Sequence, residues 1–279
     1  MTEKQMILLV SSNKDPASIN IATQILQLYP FKKTEKTYQD NPVYAANINQ
    51  KHVKLVRLNE ESVNAQNIHQ DFPSKLIVFI SRHSSQSGTP TLTVHAPGNF
   101  ADADLGGLPK TLSVAPATAM SVALKTLDYY RREMSLNYEV SFEVTHHGPS
   151  LKTPAMFVEL GSSPQQWSDS SAATAVAHAA ILAIEKFDPE PPRQALIGIG
   201  GQHYNPKFTQ MALADQAVFG HMIPKYAVAN LDAVMLKHCV KCCLEHVSEV
   251  LLDWKGIKSD DKPGLLSALD EVGLGYSKI

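Results

Sequence analysis

Two apolar patterns alternate along the chain. Met6–Ser12, Lys75–Ser81, Pro154–Gly161 and Ala195–Gly201 are near-continuous apolar runs, as in strands buried on both faces of a parallel sheet. His52–Leu58, Leu92–His95 and Tyr138–His147 alternate instead. In the last, Tyr138, Val140, Phe142, Val144 and His146 share one face, and Glu139, Ser141, Glu143, Thr145 and His147 the other. Helical period fills the intervals. A helix opens with Asp15 as N-cap and Pro16 at the first position, carries Ile19, Ala22, Ile25, Leu26 and Tyr29 as its stripe, and stops at Pro30. Further helices are expected over 117–136, 168–187, 231–252 and 263–271, while residues 31–51 and 100–116 read as loops. This interleaving predicts an α/β fold with a mostly parallel or mixed central sheet flanked by helices. Residues 1–279 then form a single compact catalytic unit, with an N-terminal subdomain of about 1–75 as the other division.

Composition narrows the partners. The chain is 44% hydrophobic and 19% charged, with a formal net charge of -2, so nucleic acid has to be met by a local patch rather than a global field. Lys32, Lys33 and Lys36 form a solvated loop or a phosphate-contacting patch; Arg131 and Arg132 complement a helix C-terminus or bind phosphate. No apolar run reaches membrane-span length, and the N-terminal segment lacks a cleavable signal pattern. The three cysteines lie between 239 and 243 and make no disulfide framework, which suggests a cytoplasmic protein. On the expected last long helix, Cys239, Cys242, Cys243 and His246 share one face. A straight helix cannot wrap four ligands around an ion, so core packing is favoured there.

The 11 histidines carry the chemistry. His83 follows the 75–81 strand, His146 and His147 end 138–145, His203 follows 195–201, and His95 ends a short fourth strand. If these strands run the same way, their ends gather on the edge where open α/β sheets bind ligands. A metal site is the simplest reading, with His83, His95, His147 and His203 as ligands. Glu159, a carboxylate inside an apolar strand, or Glu143 would complete the set or serve as base. No pair has the H-E-x-x-H spacing. The Gly198-x-Gly200-Gly201 run is either a backbone anion cradle or a tight turn after a strand.

Five segments then acquire a common meaning. S-R-H-S-S-Q-S-G-T-P-T-L-T-V-H-A-P-G-N (81–99), E-V-T-H-H-G-P (143–149), F-V-E-L-G-S-S (157–163), G-I-G-G-Q-H-Y (198–204) and G-H-M-I-P-K-Y (220–226) resemble, in order and spacing, the archaeal and plant type of D-aminoacyl-tRNA deacylase. The resemblance implies hydrolysis of the ester between a D-amino acid and the tRNA 3′ end. It also implies zinc, two ions per chain, and a core similar to the nucleoside phosphorylase and peptidyl-tRNA hydrolase group. Within it, Glu159 and His147 are the catalytic candidates, with Ser84 as a weaker nucleophile option. Arg82, Ser85, Ser87, Gly88, Gly200, Gly201, His221 and Lys225 are expected to bind substrate, and Lys207, Lys225, Arg131 and Arg132 to meet tRNA phosphates. A monomer acting on the tRNA acceptor end is expected. A zinc hydrolase of peptide or N-acyl substrates shares the same histidine edge; a non-catalytic RNA-binding protein would leave it unexplained.

Overall fold

The computed structural model describes residues 6–279, so the first five residues of the N-terminal segment lie outside the described part. The chain builds two sheets. The first contains β1 (Met6–Ser12), β2 (Lys32–Tyr38), β3 (Asn41–Ile48), β4 (Lys51–Leu58), β5 (Leu76–Arg82), β6 (Thr91–His95), β7 (Glu139–Phe142) and β8 (Ala155–Gly161). Their order is β2-β3-β4-β1-β5-β8-β6-β7. β4, β1, β5 and β8 run parallel; β6 is antiparallel to β8 and parallel to β7. The second sheet, β9 (Ala195–Ile199), β10 (Phe219–Ile223), β11 (Val247–Leu252) and β12 (Tyr276–Lys278), is all parallel in the order β10-β9-β11-β12.

Among the described residues eight α-helices complete the fold: α1 (Pro16–Leu28), α2 (Ile68–Asp71), α3 (Ala117–Glu133), α4 (Pro164–Trp167), α5 (Ser170–Lys186), α6 (Pro206–Leu213), α7 (Ala233–Lys241) and α8 (Lys262–Val272). Asp15 caps α1 through Ser18 N–H, and Asp169 caps α5 through Ser171 and Ala172 N–H. The small-residue stripe of α5 lets it approach α3, α1 and the first sheet, and this layer holds the largest core cluster. A second cluster packs α7 and α8 on the second sheet. No helix among the described residues is long and apolar enough to cross a membrane.

Three expectations are corrected. Residues 31–51 form a hairpin rather than a loop: β3 pairs antiparallel with β2 and β4 through two-residue turns at Gln39–Asp40 and Asn49–Gln50, all four at positive φ. These turns lack glycine, and β2 is mostly exposed, so neither turn chemistry nor an apolar period marked them. The expected helix over 231–252 is α7 followed by β11, because Val247–Leu252 fills the slot between β9 and β12. The histidine-bearing strands do not all run the same way, since β6 and β7 oppose β5 and β8, and His203 comes from the second sheet.

What gathers those histidines is the segment after β7. Ladder pairing ends at Phe142, and residues 143–147 cross to the second sheet: Val144 N–H donates to His203 O (3.0 Å) and Thr145 N–H to Met222 O (2.8 Å). Pro97 bridges back to His146 and Glu143 to Tyr204. The two sheets are stitched where the candidate chemistry lies.

Candidate active site

Glu159 is the centre of the site. It sits mid-β8 with Ser81 of β5 and Thr93 of β6 as its register partners, 3% exposed. Ser81 Oγ donates to its Oε1 at 2.6 Å, and its Oε2 lies 3.7 Å from both His83 Nδ1 and His95 Nε2. A second carboxylate, Glu143, is fully buried nearby, 3.1 Å from His83 Nδ1 through Oε1 and 2.7 Å from His203 Nε2 through Oε2. His83 thus bridges the two carboxylates, and its Nε2 meets the Tyr204 hydroxyl. Gly161 makes room for it, since a Cβ there would approach His83 Cβ to 2.7 Å.

Three other imidazoles are held by the backbone. His146 Nδ1 donates to Val144 O (2.8 Å), His147 Nδ1 to Gly148 O (2.7 Å), and His95 Nδ1 lies 3.3 Å from Ala96 O. Carbonyl partners fix the tautomer that leaves Nε2 with its lone pair free, as a ligand imidazole needs. His147 has a φ of 42°, a left-handed conformation that breaks the strand alternation and sets its ring 4.3 Å from that of His146. Phe157 stacks on His95 at 5.1 Å, walling the cluster from below.

The electrostatics follow from this packing. Burial lowers the pKa of His83, but Glu143 and Glu159 outweigh it and push it up to about 11; His95 is raised against burial by Glu159. Against burial, His203 and His83 hold Glu143 well below the carboxylate range, and His83 and His95 bring Glu159 down to about 2. Burial, and then repulsion from His95, push His146 well down and His147 to about 4. The His83 proton therefore faces both carboxylates, while His146 and His147 are neutral at pH 7.

The donor set fits a metal. His95, His146 and His147 bring ligand atoms within 4.8 Å of one another; so do Glu143, His146 and His203, and so do His83, Glu143 and Glu159. His95 Nε2 is buried without a hydrogen-bond partner, which a cation would satisfy. His83, His146, His147, Glu159 and His203 line a cavity of about 490 Å3, which Asp15, Glu61, Arg82 and Ser84 also line.

Comparison with known proteins places this geometry. The family model for D-aminoacyl-tRNA deacylase matches residues 70–276. The chain belongs to the D-aminoacyl-tRNA deacylase family. It is 33% identical to the D-aminoacyl-tRNA deacylase of Pyrococcus abyssi over 98% of this chain and 100% of that one. With the D-aminoacyl-tRNA deacylase of Methanococcus maripaludis it shares 34% identity over 98% of this chain and 99% of that one. A crystal structure described as a conserved protein of unknown function superposes with a TM-score of 0.86 at 31% identity, covering 98% of this chain and 95% of the other.

In this deacylase-family chain, His83, His95, His147, His203 and Glu159 converge as the sequence suggested. Glu143, the alternative carboxylate, is there too, and His146 joins them, although the expected alternation put His146 on the opposite face from His147. The H-H-G-P end of the segment was the signal that the strand stops before it. Other predicted residues fall elsewhere. His221 is fully buried, its Nδ1 bonded to Thr145 Oγ1 (3.0 Å) and its Nε2 donating to Cys242 O (2.9 Å), so it meets no substrate. Gly200 and Gly201, at φ of 110° and 80°, spend their amides on Ile223 O and Gly256 O, which makes the run a tight turn and not an anion cradle. Arg82 lines the cavity but is engaged, its Nη1 with Lys14 O and its Nη2 with Glu61. Ser84 is exposed and lines the same cavity, and Ser85, Ser87 and Gly88 form the turn beyond it. Among the described residues no hydrogen bond joins Ser84 to an imidazole, so it lacks the base a nucleophile needs. Lys225 is exposed in a neighbouring cavity of about 890 Å3 that also holds Arg131, Tyr204 and Lys207. Lys207 is paired with Asp253 at 2.6 Å, and Arg131 and Arg132 with Asp128.

Proposed function

We propose that this chain hydrolyses the ester joining a D-amino acid to the 3′-terminal ribose of tRNA, releasing the amino acid and the tRNA. The observation that carries the reading is the convergence of backbone-oriented imidazoles and two buried carboxylates on one cavity wall. Family membership supplies the substrate class. Zinc suits this imidazole-rich set. His95, His146 and His147 would hold one ion, and Glu143 with His203 a second beside it, in keeping with two per chain. When bound, zinc supplies Lewis-acid polarisation of the ester carbonyl and acidification of water.

The chain's own groups do the rest. Ser81 pins Glu159 by Oε1, so Oε2 faces the cluster as the proton acceptor for attacking water. His83, locked between Glu143, Glu159 and Tyr204, holds a proton at the cavity wall where the leaving ribose oxygen needs one. Ser84, with Ser85, Ser87 and Gly88 beyond it, offers contacts to the terminal nucleotide. Lys225 meets phosphate in the adjoining cavity; Lys207 is held by Asp253 and adds less. An aminoacyl ester flanked by a vicinal hydroxyl is already labile, so this modest machinery suffices.

Purified protein incubated with D-tyrosyl-tRNA and L-tyrosyl-tRNA, with and without a chelator, tests the reading. D-selective release that a chelator abolishes and zinc restores is expected. Inertness toward both substrates would sink the deacylase reading; chelator-insensitive D-selective release would sink only the metal part.

A further inference from the structure

His146 and His147 have a second exposed side. Besides the polar cavity already described, they line another of about 320 Å3, formed on the far side by Phe100, Pro224, Tyr226 and Ala227. Leu105 lies on the boundary and lines both cavities. The two differ in chemistry. The 490 Å3 cavity is lined by Asp15, Glu61, Arg82 and Ser84, hydroxyl and charged groups suited to a ribose and its base, beside Val63 and Phe157. The 320 Å3 cavity has an aromatic and aliphatic wall of Phe100, Pro224, Tyr226 and Ala227, polar groups from Asn99, Thr145 and Asn230, and Asp102 and Asp104 on an exposed rim.

We propose that this second cavity is the pocket for the side chain of the esterified amino acid; the proposal rests on the deacylase reading. An ester at the His146–His147 wall has two arms, a sugar and an amino acid, and the wall opens into two cavities, one richer in charged and hydroxyl groups and one with an aromatic and aliphatic wall. Apolar pockets with a few polar groups at the rim take small hydrophobic ligands in this way. The rim carboxylates match the α-ammonium that a free aminoacyl group carries next to its side chain. Leu105 is 65% exposed and Tyr226 is 56% exposed, unusual for large apolar groups and natural for a mouth that a ligand covers. Tyr226 and Ala101 belong neither to the donor cluster nor to the lining of the 490 Å3 cavity, so both can be changed without touching either.

The two arms of the test are Ala101→Trp, which fills the pocket beside its Asp102–Asp104 rim, and Tyr226→Ala, which removes an aromatic wall. kcat/KM is measured for D-tyrosyl-tRNA and D-alanyl-tRNA, with circular dichroism and zinc content confirming that each variant is folded and loaded. Ala101→Trp is expected to lower kcat/KM for D-tyrosyl-tRNA at least tenfold while D-alanyl-tRNA changes by less than threefold. Tyr226→Ala is expected to lower the D-tyrosyl to D-alanyl ratio at least fivefold. An unchanged ratio in both variants, or equal losses on both substrates, overturns the pocket while wild-type activity keeps the deacylase reading intact. A ratio that responds instead to Ser84→Trp, in the polar cavity, reverses the assignment and overturns the proposal. Wild-type inertness toward both substrates overturns the deacylase reading and this inference with it.

Discussion

His95, His146 and His147 reach one point from β6 and from the segment that crosses between the sheets; His238, Cys239, Cys242 and Cys243 come from one helix and its cap. As residue types both groups are good metal donors. In the first, three rings spend Nδ1 on carbonyls and keep Nε2 free, next to carboxylates that water does not reach. In the second, His238 Nε2 takes the Leu112 N–H, and the Cys243 thiol donates to Cys239 O and packs against Gly220. Burial raises all three thiol pKa values, Cys243 to about 12, so none offers a thiolate at pH 7. No metal-competent group among the described residues includes them. Donor chemistry is cheap in a sequence; convergence from separate elements, with lone pairs left over, is what makes a site.

Three experiments press on that contrast. The largest effect belongs to the buried carboxylate. Glu143→Gln is expected to cut D-aminoacyl-tRNA hydrolysis by more than about a hundredfold, beyond the loss from disturbing only a ligand's partner. Zinc per chain, measured by mass spectrometry after dialysis, should fall in the same variant. Full zinc content with unchanged kcat/KM would remove Glu143 from the site.

A smaller effect separates a free imidazole from a satisfied one. Burial lowers the His221 pKa to about 4 from an ordinary 6.5. The folded pKa lies below the unfolded one, so the stability it contributes is present above pH 6.5 and is lost as pH falls toward 4. That loss is on the order of 3 kcal/mol. His221→Gln should be less stable at pH 7, yet show a flatter decline in unfolding free energy between pH 6.5 and 4. Parallel pH profiles for variant and wild type would mean the ring titrates alike in the folded and unfolded chain, against a burial-lowered pKa. The smallest effect is expected of Cys243→Ala: zinc content and hydrolysis unchanged, and a stability loss of about 1 kcal/mol in denaturant melts from the vacated volume. Loss of zinc in this variant would erase the distinction drawn above.

The parts of the fold legible in the sequence were those where one physical signal acted alone. β1, β5, β8 and β9 are unbroken apolar runs, and α1 and α5 carry both caps and stripes. Signals that compete were misread. Val247–Leu252 has an apolar density that suits a helix or a strand, and only the partners β9 and β12 decide it. The site was half legible in the same sense. Strand ends named His83, His95, His147 and His203, and an isolated carboxylate in an apolar strand named Glu159. His146 was assigned to the opposite face from His147 because alternation was carried past the end of the ladder. The glycines at 200 and 201 carried the composition of a phosphate loop, and only their hydrogen-bond partners, Ile223 O and Gly256 O, reveal a turn.

The crossing segment also sets when the molecule becomes competent. Glu143 and Thr145 are held by Tyr204, His203 and Met222, which lie about 60 to 80 residues further along the chain. A nascent chain that has completed only the first sheet already carries His83, His95, His146, His147 and both carboxylates, but lacks the strand ends that hold them in register. The geometry of the site is therefore complete only once both sheets are paired. A fragment ending before β10 is expected to lose D-aminoacyl-tRNA hydrolysis, and an assay of the truncated chain checks it.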